Sequence, residues 1–188
     1  MHWLERVALI ASLAYVGTMF DNFFAFAAQL IVTERARYRR VSWAQVAGVI
    51  ALLIISAAVG SALAPIPLRW VGLACAAPWA LAGFAWRHRH DERPIQFRRG
   101  ALTTFIVTLA LGGDNLAVWI PLVRASGAEG GLVDVAVFAI GEIVFLWSAQ
   151  RLAGHPRVVA WGERRAPALV PWVYLALGVL VLVECGTI

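Results

Sequence analysis

Charge is scarce in this 188-residue chain: 14% of its residues are charged and 61% are hydrophobic. Soluble domains carry about 25% charged residues, so an ordinary soluble globular domain is excluded. Lysine is absent, and all sixteen basic residues are arginine. Cysteine is limited to Cys75 and Cys185 with no CxxC, which excludes a disulfide framework and a zinc knuckle. No nucleotide-binding glycine motif, nucleophile elbow or HExxH is present, so the sequence offers no enzyme signature. The four histidines, His2, His88, His90 and His155, all fall outside the apolar runs.

What remains is apolar length. Several runs of roughly 18–25 residues are each long enough to cross a bilayer. The net charge of +5 does not argue for nucleic acid. The arginines gather in three short loops, the pattern of topology signals and lipid-headgroup contacts. Ala25-Phe26-Ala27-Ala28 has the small residues of a signal-peptide cleavage site. Asp21-Asn22 interrupt the run before it, however, and an arginine cluster follows directly, so the segment reads as a retained span.

The spacing predicts an all-α polytopic membrane protein with six transmembrane helices. They run over about 4–32, 41–64, 68–86, 100–123, 132–152 and 168–185. Pro65-Ile66-Pro67 turns the chain between the second and third; Ser126-Gly127 and Gly130-Gly131 break it between the fourth and fifth. The chain divides into residues 1–86, a linker over 87–99, and residues 100–188. Arg35–Arg40, Arg87–Arg99 and Arg151–Arg165 bound the arginine-rich loops, while Arg6, Arg69 and Arg124 fall on the other side. The positive-inside rule puts the rich loops in the cytoplasm and both termini outside a multi-pass cell membrane protein. Three helices per half give the halves opposite topology, a 3+3 inverted repeat.

Two Asp-Asn pairs interrupt the apolar segments: Asp21-Asn22 in the first helix and Asp114-Asn115 in the fourth. A carboxylate at membrane depth is costly and by default marks an ion or substrate path. Thr18, Asn22 and Gln29 share one face of the first helix, and Thr104, Thr108 and Asn115 repeat those spacings in the fourth. The candidate cation ligands are Asp21, Asn22, Asp114 and Asn115, with Thr18, Thr108 and Glu142 behind them. Glu142, midway along the fifth helix, reads as a third ligand, a proton carrier or a hydrogen-bonded structural residue. Gly112-Gly113 allow unwinding before Asp114, and Pro121 cannot donate to the Ala117 carbonyl. This oxygen set suits manganese or calcium, whereas cadmium favours thiolates.

Gly112-Gly113-Asp114-Asn115-Leu116-Ala117-Val118-Trp119-Ile120-Pro121-Leu122 resembles the signature of the cadmium-resistance (CadD-type) transporters of the LysE-like superfamily. In that family the segment reads Asn-Gly-Gly-Asp-Asn and runs on to Ile-Pro-Leu; here Leu111 stands at the first Asn. The family's first helix carries an Asp-Asp pair, where this chain has Asp21-Asn22. The resemblance implies export of a divalent ion such as cadmium, from a fold shared with manganese, calcium and amino-acid transporters. The expectation is a secondary transporter of Cd, Mn, Ca or Zn, with no resident cofactor and with protons as the counter-ion. Three other readings stay open: export of a small organic solute such as an amino acid, a membrane thiol relay through Cys75 and Cys185, and a purely structural subunit of a larger complex. Monomer and homodimer are equally compatible with the sequence.

Overall fold

A computed structural model describes residues 3–73, 79, 83 and 100–187. The described residues contain helices and turns and no strand. Helix α1 spans Trp3–Thr18 and α2 spans Phe20–Ile31; a short 3-10 turn, Arg35–Arg37, leads into α3, Tyr38–Ala62. After the Pro65-Ile66-Pro67 turn comes α4, Leu68–Gly72. The second part comprises α5, Ala101–Leu111, α6, Gly113–Leu152, and α7, Pro156–Glu184. Most of the third expected helix lies outside the described residues, as do the 87–99 linker, Cys75, His2, His88 and His90.

The 40 residues of α6 are not one straight rod. Gly127 sits inside it at φ 66° and ψ −168°, a conformation that is essentially restricted to glycine. Trp119 and Phe138 have ring centroids 4.7 Å apart. A straight helix would separate residues 19 positions apart by about 28 Å. The chain therefore turns back at Gly127, giving arms over residues 113–126 and 128–152. This is the break expected at Ser126-Gly127; Gly130-Gly131, also expected to break the chain, is helical.

Two expected helices, the first and the last, are corrected, and the fourth breaks where its glycines allow unwinding. The first is broken at Met19 and bends by 52° between α1 and α2. The fourth is broken at Gly112. The last begins earlier than residue 168: Pro156 opens α7, a position where its missing N–H costs nothing, and α7 bends by 59° between Ala166 and Ala168. Arg157, Arg164 and Arg165 thus lie on a helix, not in a loop.

By length and composition two helical stretches could cross a membrane, Arg35–Ala62 and Gly113–Leu152, the second of them folded into its two arms at Gly127. The bent pairs α1–α2 and the two parts of α7 raise the candidates to four. Leu13, Val16, Ile54, Leu102, Ile140 and Ile143 are all exposed, an outer surface too apolar for water.

Packing places the elements around the two helix breaks. Tyr15 of α1 lies among Trp119 and Phe138 of the two α6 arms, at centroid distances of 6.4 and 5.5 Å. Each such aromatic pair contributes about 0.5–1.5 kcal/mol beyond area burial. The three sparse arginines share one end of the bundle. Arg6 pairs with Glu184 at 2.7 Å, Arg124 donates to the Ala64 carbonyl at 2.9 Å, and Thr187 donates to the Arg69 carbonyl at 3.1 Å. At the other end Thr33, Glu34, Arg37 and Arg40 surround a hollow beside Gly100.

Candidate cation site

The two breaks have the same backbone geometry. Met19 has φ −93° and ψ 4°; Gly112 has φ −83° and ψ 5°. In each, a new helix starts at the next residue, and Asp is its second residue. Asp21 Oδ1 accepts the Asn22 N–H at 2.8 Å, and Asp114 Oδ1 accepts the Asn115 N–H at 2.9 Å. A helix start leaves its first N–H groups unpaired and carries partial positive charge. A carboxylate in that first turn is stabilised by both effects. α2 and α6 each place one there, inside the bundle.

The breaks meet. Met19 is 2% exposed, Asn22 4% and Asn115 0%. The Asn22 Nδ2 points at Met19 Sδ from 3.9 Å, and the Asn115 Nδ2 points at the same sulfur from 3.5 Å. Asn115 Oδ1 is buried with no hydrogen-bond partner. Asp114 Oδ2 accepts a hydrogen bond from the Tyr174 hydroxyl of α7. Asp21 and Asp114 are both half-buried, each one residue before an Asn of this contact. Gly112 is needed for closeness: a Cβ there would lie 2.3 Å from Leu52 Cδ1 and 2.8 Å from the Thr108 carbonyl.

The remaining expected residues hold the frame. Thr18 Oγ1 donates to the Ala14 carbonyl at 2.8 Å and accepts from Trp119 Nε1 at 3.1 Å. Thr108 Oγ1 donates to Gln45 Oε1 at 2.5 Å and lies 2.9 Å from the Thr104 carbonyl. Gln29 Nε2 donates to Thr104 Oγ1 at 2.6 Å. The polar stripes of the first and fourth helices thus face each other, and much of their hydroxyl capacity is spent between helices. Glu142 Oε2 accepts from the Tyr15 hydroxyl at 2.6 Å, and its Oε1 is buried without a partner. A narrow cavity lined by Asn22, Gln29, Gln45, Thr104, Thr108 and Leu111 runs beside the site. Among the described residues, no three His, Cys, Asp or Glu side chains form a metal-holding group, so any ion here needs amide, hydroxyl or sulfur ligands too.

A model of the cadmium resistance transporter family matches residues 15–188, taking in both breaks. The chain belongs to the cadmium resistance transporter family. It is accordingly a membrane protein of metal-ion transport, and the resemblance carried by Gly112–Leu122 is confirmed. No match was found among curated proteins or among solved structures.

For this cadmium resistance transporter, sequence reasoning misses two residues at the site, Met19 and Tyr174, and one buried carboxylate elsewhere in the bundle, Asp134. Met19 carries no glycine or proline signal of a break. Tyr174 lies 60 positions from Asp114, so only the tertiary fold joins them. Its signal was its depth, since interfacial tyrosines sit near helix ends. Asp134 is fully buried in the second α6 arm, on the face of Phe138 and Glu142. Cys185 is buried and forms no disulfide, and Cys75 lies outside the described residues.

Proposed function

We propose that the protein is a secondary transporter that exports a divalent cation through a six-helix, 3+3 inverted-repeat bundle. The cation is held between the starts of α2 and α6 by Asp21 and Asp114, with Asn22 and Asn115 as neutral co-ligands. The observation that carries this reading is the paired break. Two helix starts of equal geometry, each with Asp second and Asn third, bring their Asn side chains to one buried atom. Broken helices at membrane depth are tolerated where they line a site, and transporters use them to bind ions.

The two negative carboxylates together balance one doubly charged cation. Thr18 and Thr108 act from behind by fixing Trp119 and Gln45, rather than as first ligands. The polar line Asn22–Gln29–Gln45–Thr104, around a cavity of about 10 Å³, supports a path on the arginine-rich side. The arginine distribution supports that end being cytoplasmic and both termini lying outside the cell membrane.

Export opposes an inside-negative potential at about 2.3 kcal/mol per charge per 100 mV. Inward protons supply that energy most simply. Glu142, held by Tyr15 with one oxygen unpaired, is the proton carrier in this reading. Purified protein in liposomes, offered manganese, cadmium, calcium and zinc with and without a pH gradient, tests the reading. One or more ions move, faster with the gradient, and Asp114→Asn abolishes the flux. If no ion moves, or the variant matches the parent, the site is wrong.

A further inference from the structure

Met19 is one of two methionines in the chain, the other being Met1. Two buried carboxamides aim their N–H groups at its sulfur, from helices that start 93 residues apart, at Phe20 and Gly113. A thioether is a weak acceptor and satisfies buried amides poorly. Asn115 Oδ1, fully buried, has no partner at all. Simple core filling accounts for a buried methionine, but not for two polar amides turned onto it beside an orphaned carbonyl oxygen. Burying such groups unsatisfied costs about 1–3 kcal/mol each, unless something else completes their bonding.

We propose that Met19 Sδ is a direct ligand of the transported cation and sets its preference for soft ions, cadmium over manganese and calcium. This rests on the function proposed above and adds the ligand that decides between ions. Half a turn of each carboxamide exchanges a weak N–H···S contact for a carbonyl oxygen beside the sulfur. Asn22 Oδ1, Asn115 Oδ1 and Met19 Sδ then converge on one point, flanked by Asp21 and Asp114. Thioether sulfur favours soft ions, and calcium takes oxygen ligands. The set of side chains read from the sequence was all oxygen; the fold inserts one sulfur at its centre.

Met19→Leu keeps the volume and removes the sulfur. In proteoliposomes, the expected KM for cadmium chloride rises about tenfold, a loss of about 1.4 kcal/mol. The KM for manganese chloride stays within about twofold, because a hard ion gains little from sulfur. An equal change for both ions, or none for either, overturns the assignment and leaves transport standing. A parent protein that moves no divalent ion overturns both. X-ray absorption at the cadmium edge gives a readout independent of that variant's folding, using Cys75→Ser/Cys185→Ser protein loaded with cadmium. A sulfur scatterer in the cadmium shell is expected; a shell of oxygen alone overturns the proposal.

Discussion

The break after α1 and the break after α5 share a backbone but not a side chain. At Gly112 the missing Cβ lets Leu52 close over the turn. At Met19 a long side chain fills the same position and reaches the neighbouring half. Equal φ and ψ therefore come from different causes: one turn is made possible by glycine, the other is held by packing around a buried methionine. The two breaks are symmetric in their carboxylates and asymmetric in what stands beside them. One side contributes sulfur; the other has an Asp held by Tyr174 and an Asn with a free oxygen.

The largest effects should come from the symmetric part. Asp21→Asn and Asp114→Asn each keep shape and remove charge. Each should lower cation flux by about two orders of magnitude or more, since even groups behind metal ligands are worth 10–100-fold. Tracer flux in proteoliposomes measures it. A large loss for Asp114→Asn and none for Asp21→Asn would break the comparison, leaving a one-sided site.

Glu142→Gln tests whether proton coupling is separate from cation binding. Downhill cadmium flux should persist, while stimulation by a pH gradient disappears. Loss of downhill flux as well would return Glu142 to the ligand set.

Tyr174→Phe sharpens the asymmetry. Removing the hydroxyl strips Asp114 of a donor, and hydrogen bonds to charged groups contribute about 1.5–3 kcal/mol. KM for the transported ion should change by about tenfold with kcat nearly kept. An unchanged KM would mean that the Tyr174 contact does not bear on cation affinity.

Gly112→Ala acts on stability more than on chemistry. Overpacking against Leu52 and the Thr108 carbonyl should cost about 1–3 kcal/mol, read as a lower thermal midpoint in detergent. Met19→Ala, at the matching position, should open space instead of filling it. The smallest effect belongs to Thr108→Val. Its hydroxyl is committed to Gln45, so flux should stay within about twofold while stability falls by about 1 kcal/mol.

Much of this site was legible before any fold was known. Buried carboxylates announce themselves by cost, and Asp-Asn repeated in the first and fourth helices pointed to paired halves. Gly112-Gly113 and Ser126-Gly127 marked breaks that the fold contains. The Met19 break was not legible, because methionine carries no turn preference and the side chain that fills the position is buried only in the folded bundle. The roles of Thr18, Thr108 and Gln29 were also out of reach. A hydroxyl or amide on a polar stripe serves equally as ligand or as interhelical bond. Only the partners Trp119, Gln45 and Thr104 decide between them. The helix over Pro156–Ala166 was hidden by its arginines, which resemble a loop in a membrane protein yet sit on the exposed face of a helix buried along Val159, Gly162 and Ala166.

The central claim is that one divalent cation sits between the two helix starts, held from both sides. Equilibrium binding of cadmium to the purified protein in detergent tests it most directly, with Asp21→Asn and Asp114→Asn beside the parent. The account predicts one ion per chain for the parent and loss of measurable binding in either variant. Parent-like affinity in both variants would contradict it and move the site elsewhere in the bundle.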